Sequence, residues 1–101
     1  MISMDLTFSL TKKMEKLIKK LEKRQKKLVD EYENKKEIIL KNPGIGKTLK
    51  GDLSEYRVHD WTIQGTGIRL AYVYYMEDNH IVFVYFGTRE NFYRELGRYV
   101  N

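Results

Sequence analysis

The stretch Tyr56-Arg57-Val58-His59-Asp60-Trp61-Thr62-Ile63-Gln64-Gly65-Thr66-Gly67-Ile68-Arg69-Leu70-Ala71-Tyr72-Val73-Tyr74-Tyr75 decides the fold. Tyr56, Val58 and Asp60 alternate with Arg57, His59 and Trp61, and Ile68, Leu70, Tyr72 and Tyr74 alternate with Arg69, Ala71, Val73 and Tyr75. A period of two is the mark of a strand. Gly65-Thr66-Gly67 predicts the turn between the two runs. Glu77-Asp78-Asn79 predicts a second turn, before a third strand, Ile81-Val82-Phe83-Val84-Tyr85-Phe86. Three such runs with short connections predict an antiparallel meander. Its period puts Arg57, His59 and Trp61 on one face, with Tyr56 and Val58 turned towards a core under helices.

Upstream, the period changes. From Thr11 to Lys41, Met14, Leu17, Ile18, Leu21, Leu28, Val29, Tyr32, Ile39 and Leu40 recur at spacings of three, four and seven among good helix formers. Ser9 or Thr11 can cap the start, and Asn42-Pro43-Gly44 stops the run. No apolar residue occurs from Glu22 to Lys27, so the buried stripe lapses there. A helical hairpin is expected, although no turn residue marks the bend and one long helix is the rival. Residues 2–8 alternate loosely as a further strand. After the linker Pro43–Gly51 and the meander, Thr88 is expected to cap a short helix bearing Phe92, Leu96 and Tyr99. The fold class is α+β: an N-terminal helical hairpin packed on a small antiparallel sheet, in one domain over 1–101.

Composition narrows the function. There are no cysteines, which excludes a disulfide framework and thiolate metal sites and fits a cytoplasmic protein. Met1-Ile2-Ser3-Met4-Asp5 lacks the pattern of a signal peptide, and no apolar run approaches the roughly 20 residues that span a bilayer. A soluble protein with no membrane partner is expected. The basic charge is concentrated: Lys12 to Lys41 holds 12 Lys and Arg against 6 Asp and Glu, leaving 7 and 8 elsewhere. Such a field attracts phosphate polyanions or an acidic protein, or simply solvates a helix surface.

Gly44-Ile45-Gly46-Lys47-Thr48 ends like a phosphate-binding loop, but Lys41 stands where its first glycine belongs, and this segment leaves a helix rather than a strand. A turn between helices and sheet is expected instead. His59 and His80 have no spaced carboxylate set, so no metal or other cofactor is expected. Without cysteine, and with no serine patterned to a histidine, a covalent triad has no support. The remaining candidates are basic and aromatic. Arg57, His59 and Trp61 share a strand face, Arg69 interrupts an apolar run, and Arg89 and Tyr93 stand four apart on the last helix. They are expected to converge on one surface of the sheet. Singly, each has a structural alternative: surface ion pairs worth about 0–1 kcal/mol, a structural histidine, a packing tyrosine.

From Thr48 onwards the chain resembles the RelE/ParE toxin superfamily. Leu49-Lys50-Gly51 ahead of Tyr56-Arg57-Val58 is similar to the lead-in to its central strand. Ile68-Arg69-Leu70-Ala71-Tyr72 is similar to the strand bearing its key arginine, and Phe86-Gly87-Thr88-Arg89-Glu90-Asn91-Phe92-Tyr93 to the segment where a final strand runs into a basic residue and an aromatic. The resemblance implies an antitoxin partner and two branches. RelE-like members cleave mRNA in the ribosomal A site; ParE-like members act on DNA gyrase and lack the nuclease residues.

By that analogy His59, Arg69, Arg89 and Tyr93 are candidate catalytic residues of a metal-independent endoribonuclease. Arg57, Lys50, Trp61, Lys19, Lys20 and Lys23 are candidate contacts to mRNA and ribosomal RNA. His59 would take the 2′-hydroxyl proton, Arg69 and Arg89 would neutralise the phosphorane, and Tyr93 would orient substrate or donate a proton. This reading requires His59, Arg69 and Arg89 to surround one phosphate-sized spot. A gyrase-directed toxin and an inactive binding member are the alternatives.

Overall fold

A computed structural model describes residues 6–100. The elements run β1 (Thr7–Leu10), α1 (Lys12–Arg24), α2 (Lys26–Lys41), β2 (Lys47–Thr48), β3 (Tyr56–Ile63), β4 (Thr66–Tyr75), β5 (His80–Thr88) and α3 (Phe92–Leu96). The part of the expected first strand that falls on residues 2–5 lies outside the described residues.

Thr11 caps α1, its hydroxyl accepting from the Met14 N–H at 3.1 Å. The helical stretch breaks at one residue, Gln25, in the middle of the apolar gap. Gln25 serves both ends: its N–H donates to the Leu21 carbonyl, and its own carbonyl accepts from Leu28 and Val29. It thereby replaces the turn residues that the sequence lacks. Two packed helices result, not one long helix.

The sheet has five strands in the order β1-β5-β4-β3-β2. The meander β3-β4-β5 is antiparallel as expected, but β1 pairs with β5 in parallel, so the sheet is mixed. A parallel neighbour needs a long connection, and here nearly the whole chain intervenes; a four-residue alternation carries no information on direction. β2, inside the expected linker, adds a short edge beside β3.

The β3–β4 turn is Gln64-Gly65, both at positive φ (48° and 84°), the two-residue type that matches strand twist. Its position sets the register: Ile63 faces Thr66, Asp60 faces Arg69, and His59 faces Leu70. The expected turn, Gly65-Thr66-Gly67, sits too late along the chain.

Both faces of the sheet are covered. On one, Met14, Tyr32 and Ile39 from the helices meet Ile68, Leu70, Tyr72, Ile81, Phe83 and Phe86. On the other, Phe92 and Leu96 of α3 meet Tyr56, Val58, Ala71, Val73, Val84 and Tyr85. A fully buried side chain of this size contributes about 1.5–3 kcal/mol, so both layers matter. Tyr56 and Val58 therefore point towards α3, not towards the helical pair as expected. Alternation shows that two faces exist, but not which face the helices cover.

The C-terminal segment also differs from expectation. Thr88 is the last residue of β5, and the residue ahead of α3 is Asn91, in the left-handed region (φ 61°) with no side-chain cap. Tyr99 lies beyond the helix end and packs on Tyr85, ring centroids 4.4 Å apart.

Tyr72 accounts for the Gly-Lys-Thr segment. Its hydroxyl donates to the Pro43 carbonyl at 2.7 Å and accepts from the Gly46 N–H at 2.9 Å. A Cβ on Gly46 would meet that hydroxyl at 2.7 Å, so only glycine fits. Lys47 and Thr48 then form β2. The segment brackets helix to sheet, and the Gly46 N–H that a phosphate loop would offer is already committed.

Candidate functional site

Register brings Asp60 of β3 opposite Arg69 of β4 on the α3 side of the sheet. Asp60 holds two arginines at once: Arg69 Nε lies 3.3 Å from Oδ2 and Arg89 Nη2 lies 3.2 Å from Oδ1. Arg69 is the more enclosed, its side chain 19% exposed against 54% for Arg89 and 42% for Asp60. The Arg69 guanidinium also sits over aromatic faces, 5.1 Å from the Tyr93 ring centroid and 5.9 Å from that of Phe92. Tyr93 is itself exposed. Arg89 is seated on Gly67: its N–H donates to the Gly67 carbonyl at 2.8 Å, and a Cβ on Gly67 would meet its Cζ at 2.7 Å. Two guanidiniums, a carboxylate and a phenol thus form an open surface cluster carrying a formal +1.

His59 is on the other side. It pairs with Leu70 and faces α2, its ring stacked on Trp61 with centroids 5.6 Å apart. Lys35 of α2 reaches over Trp61, its Nζ 5.5 Å from the ring centroid. Burial first, and the Lys35 ammonium second, lower the His59 pKa, with the Asp60 carboxylate opposing them. The expected convergence of His59 with Arg69 and Arg89 does not occur: Arg69, Arg89 and Tyr93 come together, and His59 is separated from them by the thickness of the sheet.

The remaining candidates are dispersed. Arg57 is partly buried on the helix side and donates to the Gly46 carbonyl at 3.1 Å. Trp61 is partly buried beside His59. Lys19, Lys20 and Lys23 are exposed on α1, and Lys50 is exposed between β2 and β3. His80 spans two hydroxyls of β1, with Thr7 Oγ1 2.7 Å from Nδ1 and Ser9 Oγ 2.9 Å from Nε2, so it ties the parallel strand to β5. Among the described residues no group of three or more His, Cys, Asp and Glu is placed to hold a metal ion, and no helix is long and apolar enough to cross a membrane.

Sequence reasoning missed Asp60 and Gly67. The signal that finds both is the turn: centring it on Gln64-Gly65 places Asp60 against Arg69 and brings Gly67 beside the start of the Arg89 segment.

Comparison with known proteins agrees with this architecture. Residues 8–97 match the family described as ParE-like toxin of type II bacterial toxin-antitoxin system. The solution structure of the conserved hypothetical protein HP0892 from Helicobacter pylori is similar, with a TM-score of 0.54 and 25% identity over 86% of this chain and 98% of that one. No curated protein sequence matches. Nine-tenths of the chain is covered by one family, whose membership implies a cognate antitoxin partner: the chain belongs to the ParE-like toxins of type II toxin–antitoxin systems.

Proposed function

We propose that this toxin acts by binding a protein target, of the kind DNA gyrase provides for ParE-like toxins, rather than by cutting RNA. One observation carries the reading: the only imidazole near the expected site faces α2, while both arginines on the opposite side are already engaged by Asp60. Metal-independent RNA cleavage needs a base within reach of the 2′-hydroxyl and cations free for the phosphorane. Here the imidazole lies behind the sheet, and the one carboxylate of the cluster, Asp60, is held by both arginines. The cluster of Arg69, Arg89 and Tyr93 instead offers an exposed, aromatic-backed surface suited to a protein contact, since arginine and tyrosine are favoured interface anchors.

The test uses two assays on the purified chain: supercoiling by DNA gyrase, and mapping of mRNA 5′ ends on translating ribosomes. Inhibited supercoiling with no new mRNA ends is expected. New mRNA ends that vanish with Arg69→Ala would overturn the proposal.

A second reading, ribosome-dependent mRNA cleavage in the cytoplasm, draws on the shared surface of Arg69, Arg89 and Tyr93. In it, α1 lysines such as Lys19, Lys20 and Lys23 would dock on ribosomal RNA. It requires Arg69→Ala to abolish cleavage while His59→Ala leaves it intact.

A further inference from the structure

Lys13, Lys16 and Lys20 of α1 recur at spacings of three and four, within about 60° of one another around the helix axis. The two carboxylates of α1, Glu15 and Glu22, lie at least about 100° from each of them. A helix whose charges serve only to keep it in water interleaves the two signs along a face. Here the signs are sorted, and Lys16 and Lys20, four apart, repel each other. Neither makes an ion pair among the described residues.

The lysine flank faces the segment that follows α3. Lys13 Nζ donates to the Arg98 carbonyl at 2.6 Å and so straps that segment to α1. A cleft of about 380 Å³ opens there, lined by the three lysines and by Glu95 and Arg98. Glu95 is its one carboxylate and is engaged by Arg98, Oε1 to Nη1 3.4 Å. Four cations against one carboxylate leave a formal +3, assembled from stretches of chain far apart in sequence. Arg98 is 71% exposed, so its guanidinium can turn further donors outward. Cations gathered around an open cleft, with so little to neutralise them, call for a polyanion.

We propose that this cleft binds the phosphate backbone of duplex DNA, with Lys16, Lys20 and Arg98 on phosphates and Lys13 as the strut between the two walls. Duplex DNA carries a charge about every 1.7 Å of its axis. The roughly 10 Å along α1 from Lys13 to Lys20 spans several such charges. Contacts to phosphate carry no sequence information, so duplexes of different sequence bind alike. Docking of this kind holds a toxin where an enzyme of DNA works and raises its local concentration there. The choice of polymer rests on the gyrase-directed reading; the backbone of RNA is the competing occupant.

The experiment measures fluorescence anisotropy of a labelled DNA duplex with the purified toxin across 50 to 200 mM salt. Gyrase is absent, so failure of the supercoiling assay with DNA binding intact strikes only the target, and failure of DNA binding strikes only the cleft. Three phosphate contacts give a slope of log K against log salt of about −2.7, hence about a 40-fold loss across that range. Lys16→Gln with Lys20→Gln should bring the slope to about −0.9 and the loss to about 3.5-fold. Both side chains are exposed, so the melting curve stays near wild type. Arg98→Gln, on the other wall, should by itself take about one from the slope. Lys41→Gln with Lys47→Gln, exposed and outside the cleft, should keep the wild-type slope. The proposal is overturned by absence of DNA binding at the lowest salt, or by an unchanged slope in both cleft variants. An equal loss in the Lys41 and Lys47 pair overturns it as well, because the field would then be diffuse. So does an RNA duplex of the same length bound at least about tenfold more tightly.

Discussion

Tyr72→Phe removes one oxygen atom and asks how the helices are fastened to the sheet. The side chain is fully buried, and its ring stays against Phe83, 6.1 Å between centroids, when the hydroxyl goes. What is lost is the bridge from Pro43 to Gly46. Gly46 is buried, so its N–H keeps no partner, at about 1–3 kcal/mol. Pro43 is only half-buried, so its carbonyl can turn to water, at about 0.5–1 kcal/mol. A total of about 1.5–4 kcal/mol is a large share of the 5–15 kcal/mol typical of a domain, and corresponds to a fall in Tm of about 6–32 °C at this size. Urea unfolding followed by Trp61 fluorescence measures it, with an unchanged denaturant slope showing that only stability moved. Tyr74→Phe, half-buried on the same strand and with no hydroxyl bond, is the control and should stay within about 0.5 kcal/mol. A Tyr72→Phe penalty no larger than the control's would refute the bracket.

The pH dependence of stability follows from His59. Its folded pKa lies below the 6.5 of the free side chain, so as pH falls through that value the unfolded chain takes up the proton first. Stability is level above it and declines below it; His59→Gln should flatten that decline, and identical pH profiles for the two proteins would count against the assignment. Gly67→Ala should push the exposed Arg89 side chain off its seat at a cost within about 1 kcal/mol. Growth arrest on expression should weaken sharply while the melting curve barely shifts; full toxicity would show that the Arg89 position is immaterial. Gln64→Asn, at positive φ in the β3–β4 turn, should stabilise by roughly 0.3–1 kcal/mol in thermal unfolding, and a loss of stability would contradict the turn.

Much of the fold was legible because the two hydrophobic periods differ so plainly: three and four through Met14–Leu40, two through Tyr56–Phe86. The break at Gln25 was legible only as a lapse in the apolar stripe, since no turn residue marks it. The candidate site was legible in part. Arg69, Arg89 and Tyr93 share a surface as expected, but His59 does not, and the cause is one choice of turn. A turn centred on Thr66 pairs odd residues of β3 with odd residues of β4 and puts His59 and Arg69 on one face. The observed Gln64-Gly65 turn pairs odd with even and sends them to opposite faces. Asp60 stayed hidden for the same reason: it alternates in phase with Tyr56 and Val58, and only the register puts it between two arginines. The direction of β1 and the second covered face depend on long-range packing that local alternation does not encode.

With a layer packed on each broad side, what stays open is the perimeter (the strand rim, the hairpin tips and the outer ridge of α1) and the part of the α3 face that holds Arg69, Arg89 and Tyr93. Open residues such as Thr62, Arg89 and Lys20 carry little of either core, so their replacement leaves the scaffold standing. A lineage of such toxins can therefore exchange antitoxin or target by editing the rim while the interior stays constant.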